Sequence, residues 1–368
     1  MKKKTIVDDS GLYGIKHTNR GADKHWGKNC FNSSFPTSMA CYMLDHDISA
    51  VYNRLEVLDG ELRVVSSEIS LREVFCSRSF LLDELDFHFE SRFEPYQKYS
   101  FDTIDGIDLV VKTVDGGFLS PLEVKLTVLP TSGTAKYPEE KWGCEMVVRS
   151  ATTSYCALGM FDAVHEKAGE VRDIFENACS DIGSWTNDYE MTHKTLTLAG
   201  CVNTFERYFL ALQKPLVMQT VWKTQGQSPL LAENAFDIIV WSDYAFSRLF
   251  LDSNTPDKSK KTGKDTMSRP MRASAKLARC LWELSKSGRI RLGDIYRQMA
   301  FDTQTDKEFA IGGQIWRKYV TSDRVISPRL NKNVVSHIIK PGYIEKLMPE
   351  RRFDQTLYFT VRNGDRKD

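Results

Sequence analysis

Asp108, Glu123 and Lys125 are the side chains whose types and spacing point most directly to chemistry. They read Asp-x14-Glu-x-Lys. Asp108 lies in Ile107-Asp108-Leu109-Val110-Val111, and Glu123 and Lys125 lie in Pro121-Leu122-Glu123-Val124-Lys125-Leu126. Two carboxylates fixed on rigid strands can hold a divalent cation such as Mg²⁺, which prefers oxygen ligands and keeps its waters. A phosphate oxygen of the substrate would complete the shell, and the metal would lower the pKa of a bound water and stabilise phosphorane charge. Lys125 would orient or deprotonate the attacking water and offset growing negative charge. This set suits phosphodiester hydrolysis. Glu-x-Lys alone arises by chance in long chains. The competing account is an edge hairpin with a wet polar face, its Glu–Lys pair worth ~0–1 kcal/mol.

The elements around these residues set the expectation that they meet. Asp115-Gly116-Gly117 reads as a turn between two apolar strands, 107–111 and 119–128. Alternate residues of a strand share a face. Glu123 and Lys125 therefore point one way and Leu122, Val124 and Leu126 the other, into the core. Folding the strands side by side brings Asp108 near Glu123. A third acid is expected from an upstream helix, with Glu84, Glu90, Glu94 and Asp105 as candidates and Glu90 as the choice; a solvated helix face is the competing role. Apolar residues at 81, 82, 85, 89 and 93 give helical spacing over Ser79–Phe93.

Elsewhere, Ala50–Leu58 and Leu62–Val65 flank an Asp59-Gly60 turn and read as a hairpin. A short helix is expected after Pro36, and a long helical segment at about 139–168. Pro215–Val221 and Phe236–Trp241 read as buried strands, and roughly 270–350 reads as mostly helical. Asp237 sits in a strand with no following Glu-x-Lys and is assigned to structure or DNA positioning. The expected fold is α/β (α+β), a mixed central sheet flanked by helices. Residues 1–35 form a polar arm, 36–253 the catalytic core, and 254–368 a basic, mostly helical part that is not an independent domain.

Hydrophobic residues at 41% and charged residues at 27% are globular values, which excludes a disordered or fibrous chain. No apolar run is long enough to cross a bilayer, and acids at Asp8 and Asp9 interrupt any leader. The eight cysteines form no C-x-x-C pair and the seven histidines no close set, so a zinc site is not expected. Reduced thiols in a cytoplasm are the expectation. No P-loop, G-x-S-x-G or G-x-G-x-x-G occurs.

The net charge is only +1, but it is partitioned. Residues 81–108 hold eight acids and two bases, and residues 255–300 hold twelve bases and four acids. The acidic pole suits cations and the basic pole suits phosphates. Lys258, Lys260, Lys261, Lys264, Arg269 and Arg272 are the candidate DNA contacts there, with a solvated loop as the alternative for the lysines. In the arm, Asn19, Arg20, Lys28 and Asn29 have the donors that read base edges or phosphates.

The hairpin Ile107-Asp108 … Glu123-Val124-Lys125 resembles the PD-(D/E)XK nuclease motif, with Ile in place of the usual Pro. The chain as a whole resembles the HindVP family of type II restriction endonucleases. The resemblance runs through 26–36, Cys41-Tyr42-Met43, the hairpin, Trp222–Gly226, Ala235–Asp243 and Pro349–Asp354. It implies a Mg²⁺-dependent enzyme that cuts both strands of duplex DNA at a short palindrome, GRCGYC, and leaves 5′-phosphates. Asp108 and Glu123 would be metal ligands and Lys125 the water-activating residue. A palindrome implies a two-fold homodimer, and host DNA would need a cognate methyltransferase. The alternatives are a repair or junction nuclease of the same superfamily and a non-catalytic DNA-binding protein with a relic hairpin; the intact triad argues against the relic.

Overall fold

A computed structural model describes residues 28–75, 79–129, 146–180, 197, 201, 206–224, 231–253, 269–299, 307–311 and 328–339. The strands are β1 (Ala50–Leu58), β2 (Glu61–Ile69), β3 (Leu85–Ser91), β4 (Ile107–Thr113), β5 (Phe118–Leu129), β6 (Met146–Arg149), β7 (Pro215–Thr224), β8 (Leu231–Ser242), β9 (Lys307–Ile311) and β10 (Leu330–Asn331). The helices are α1 (Lys28–Asp45), α2 (Leu71–Val74), α3 (Ser150–Val164), α4 (Ala168–Cys179), α5 (Glu206–Phe209), α6 (Asp243–Asp252), α7 (Arg269–Ser287), α8 (Leu292–Gln298) and α9 (Lys332–Ile339).

Eight strands form one mixed sheet in the order β2-β1-β8-β7-β5-β4-β3, with β10 added on β8; β6 and β9 pair separately. β1 runs parallel to β8 and β5 parallel to β7, and the other neighbours are antiparallel. Both faces of the sheet are covered, so its central strands are apolar on both sides. On one face Val217, Val221, Ile239 and Trp241 pack with Tyr155 and Phe161 of α3, Phe246 of α6 and Leu281 of α7. On the other, Met218, Trp222, Ile238 and Val240 pack with Met39 and Met43 of α1 and Val335 of α9. Leu330 and Val335 thus belong to the same core as the central strands.

The two hairpins fold as their turns dictate. Asp59 and Gly60 both adopt left-handed backbone, at φ +54° and +76°, the geometry of a two-residue hairpin turn. β7 and β8 run longer than the apolar runs that announce them. Ser79–Phe93 is not helical: after a 3-10 turn at Leu82–Glu84 the chain forms β3. Leu85, Phe87 and Phe89 are buried in alternation, and this period of two overrides the helical spacing. The first helix begins at Lys28, ahead of Pro36. Within 139–168, β6 precedes α3. Cys41, Cys156, Cys179, Cys201 and Cys280 are buried. No helix among the described residues is long and apolar enough to cross a membrane.

Candidate active site

The site is built where β4 and β5 part. Gly116, at φ +93°, closes the turn, with its N–H on Thr113 O at 2.8 Å. The ladder runs back from there to Leu109↔Leu122 and stops. Beyond that pair the Asp108 carboxylate replaces a main-chain carbonyl, and its Oδ2 accepts the Val124 N–H at 3.0 Å. Leu109, Leu122 and Val124 are buried in the core on the α1 side of the sheet. Asp108, Glu123 and Lys125 therefore share the opposite face. Lys125 Nζ donates to Glu123 Oε1 and lies 3.8 Å from Asp108 Oδ2. The Glu123 side chain is only 8% exposed, and those of Asp108 and Lys125 about a fifth.

Glu90 joins them from β3, a strand and not the expected helix. The pairs Phe89↔Leu109 and Ser91↔Ile107 bracket it opposite Asp108. Its backbone is left-handed, at φ +50°, a conformation that costs a side-chain-bearing residue about 1–2 kcal/mol. The neighbouring chain permits it: at Gly106 an added Cβ would lie 3.0 Å from the Glu90 carbonyl oxygen. So turned, Glu90 is close enough to Asp108, Glu123 and Lys125 to interact with each. A cleft of about 360 Å³ opens beside it, lined by Glu90, Ser91, Arg92, Glu94, Gly106 and Lys112.

Three carboxyls here face one ammonium. Burial, then the charge of Glu123, then Glu90 push the Asp108 carboxyl well above the usual range, against Lys125 and the Val124 N–H. Burial and Glu123 likewise raise Glu90, opposed by the charges of Lys125 and Arg149. For Lys125, burial disfavours the ammonium, but Glu123 and Asp108 outweigh it and hold the group above its ordinary value. Lys125 is therefore a donor in this state. The carboxyls repel one another, and a cation would relieve that repulsion. The donors are all hard oxygens. Mg²⁺ needs only one or two protein carboxylates beside waters and substrate oxygens. Among the described residues no three His, Cys, Asp or Glu side chains form a complete metal cage. The set fits a partly hydrated cation held by two carboxylates.

Arg149, the last residue of β6, enters the field of Glu90, and Gly106 shapes the Glu90 backbone. Sequence spacing gave neither residue. Asp237 is fully buried on β8, its Oδ1 accepting the Ile238 N–H at 2.8 Å. Lys223, on β7, is held below its ordinary value by burial. Arg272 of α7 is only 5% exposed. Asn19, Arg20, Lys258, Lys260, Lys261 and Lys264 lie outside the described residues, as do the side chains of Lys28, Asn29 and Arg269.

A mixed sheet sheathed by helices, with acids and a lysine on one face of adjoining strands, defines a restriction-endonuclease-like α/β protein. The profile of the family described as HindVP restriction endonuclease matches residues 26–362. Type II restriction enzyme HgiDI of Herpetosiphon aurantiacus is 32% identical over 358 residues, covering 96% of this chain and 97% of the relative. The probable type II restriction enzyme HindVP of Haemophilus influenzae is 30% identical over 349 residues, covering 94% and 92%. No solved structure matches the chain significantly. The chain belongs to the HindVP restriction endonuclease family.

Proposed function

We propose that this restriction endonuclease hydrolyses both strands of duplex DNA at a short palindrome, with Mg²⁺ as cofactor and 5′-phosphates as products. The family resemblance implies GRCGYC as the site. The observation that carries the chemistry is the convergence of Asp108 and Glu123, from adjacent strands, on the Lys125 ammonium. Asp108 and Glu123 would hold Mg²⁺, with Glu90 as a third carboxyl at the rim. When bound, Mg²⁺ would lower the pKa of a coordinated water and neutralise charge building on the phosphorus oxygens. Val124 N–H keeps the Asp108 carboxylate aimed across the gap between β4 and β5. Lys125 orients the attacking water and meets the developing negative charge.

A palindrome read by identical copies calls for a two-fold homodimer, each copy cutting one strand. The polar arm (Asn19, Arg20, Lys28, Asn29) and the basic stretch (Lys258, Lys260, Lys261, Lys264, Arg269) are proposed as DNA contacts, whereas the burial of Arg272 removes it from that set. A DNA methyltransferase would be the functional partner in the same bacterial cytoplasm. The test is digestion of a sequenced plasmid in MgCl₂. Discrete bands ending in 5′-phosphates at one palindrome are expected. A smear would point to a nonspecific nuclease, and a retarded but intact plasmid to a DNA-binding protein.

A further inference from the structure

Between the two strands that carry Glu90 and Asp108, the chain makes an excursion over residues 92–106. Within it Phe101, a large apolar side chain, is 50% exposed. Two guanidinium groups lie over this ring, that of Arg289 at 4.3 Å from the centroid and that of Arg291 at 5.1 Å. Both arginines follow the α7 C-terminus, where Gly288 at φ +71° turns the chain. The two segments are clamped together by main-chain bonds: Phe101 N–H to Ile290 O and Ile290 N–H to Tyr99 O, each 2.9 Å. Arg289 Nη2 donates to Ser100 O at 2.9 Å, and the Gly293 N–H donates to Asp102 Oδ2 at 3.2 Å. Ser100 and Ile290 beneath are buried. The ring is therefore held out on a fixed base.

We infer that Phe101, Arg289 and Arg291 form a platform that grips the DNA backbone flanking the cleavage centre. A guanidinium stacked on an aromatic face keeps its planar fork of donors ordered, and that fork matches a phosphate. Arg289 has no carboxylate partner among the described residues. Arg291 is 61% exposed, with Asp102 at 4.0 Å as its weak counter-charge. Reach is favourable: Phe101 lies seven positions before Asp108, at most about 25 Å of chain. That is less than one turn of B-DNA, about 34 Å. A duplex seated on Asp108 and Glu123 would thus pass within range of the two arginines. The inference rests on the proposed DNA substrate and adds a named grip on it.

Anisotropy titration of a labelled duplex with the full-length protein tests it, with CaCl₂ in place of MgCl₂ and KCl varied from about 50 to 200 mM. Arg289→Gln and Arg291→Gln should each reduce the slope of log Kd against log salt by about 0.9 and weaken binding about eightfold near 0.1 M salt. Phe101→Leu changes no charge, yet it should also weaken binding severalfold by loosening both guanidinium groups. Arg172→Gln, on α4, serves as the control and should leave the slope alone. Wild-type slopes for both arginine variants, or an equal loss from Arg172→Gln, would overturn the platform. Plasmid digestion by the wild type, run alongside, separates the two failures. Cutting with unchanged variant binding rejects only the platform, whereas a wild type that neither binds nor cuts rejects the DNA substrate and the platform with it.

Discussion

Replacing Gly106 by alanine should damage catalysis through Glu90 without touching any ionisable group. The new methyl would sit 3.0 Å from the Glu90 carbonyl oxygen and 3.2 Å from its carbonyl carbon. Both atoms are main chain, so β3 itself has to give. Overpacking of this kind costs about 1–3 kcal/mol. It falls on a residue already bearing roughly 1–2 kcal/mol of left-handed strain, so the Glu90 peptide is the softest point to move. A melting curve should show a Tm lowered by a few degrees, with the fold intact by circular dichroism. Contacts of 3.0–3.2 Å call for a shift of a few tenths of an ångström, so single-turnover cleavage should fall by roughly tenfold, less than the ~100-fold of a 1 Å misplacement. The decisive arm is the double substitution. If the effect passes through the Glu90 carboxyl, Gly106→Ala should cost almost nothing further in a Glu90→Gln background. Equal losses in both backgrounds would refute the route through Glu90, and wild-type Tm and rate for Gly106→Ala would refute the tight contact itself.

Three other outcomes follow from the electrostatics. Asp108→Asn keeps an acceptor for the Val124 N–H but removes a carboxyl that burial and its neighbours hold high; cleavage should vanish while metal-free stability rises by about 1 kcal/mol, and a less stable variant would contradict the repulsion. Lys125→Met leaves Glu123 and Asp108 without their ammonium and should cost roughly 3 kcal/mol; MgCl₂ should raise the Tm of this variant more than that of the wild type, and equal shifts would argue against a cation between the carboxyls. Asp243 is buried, and burial pushes its carboxyl up to about 7 against N–H groups of Lys214 and Tyr244. A raised folded pKa gives stability that is complete below about pH 4 and lost as pH climbs to 7, on the order of 4 kcal/mol; in urea melts Asp243→Asn should match the wild type at pH 4 and exceed it at pH 8, and parallel pH curves would show Asp243 to be ionised at little cost.

The β4–β5 hairpin was legible because its signals are local. Asp115-Gly116-Gly117 marks the turn, and the alternation of Leu122, Val124 and their polar neighbours fixes which side chains share a face. β3 was misread because Leu81, Leu82, Leu85, Phe89 and Phe93 satisfy a helical period while Leu85, Phe87 and Phe89 satisfy a strand period. Partnership with β4 decided between them. With β3 came the true setting of Glu90, whose turned backbone depends on a glycine 16 positions away. The Phe101 platform joins residues 188 and 190 positions apart, a relation no window of sequence contains. Arg272 illustrates the converse. Its place in a basic stretch suggested an open surface, but the face of α7 it occupies is buried.

The most direct measurement is single-turnover cleavage of a plasmid in MgCl₂ by the wild type and by Glu123→Gln, paired with duplex binding by both in CaCl₂. Loss of cutting by at least about three orders of magnitude in the variant, with binding to the same palindrome retained, is the predicted result. A Glu123→Gln protein that cuts at the wild-type rate would contradict the assignment of the Asp108–Glu123–Lys125 cluster as the hydrolytic centre.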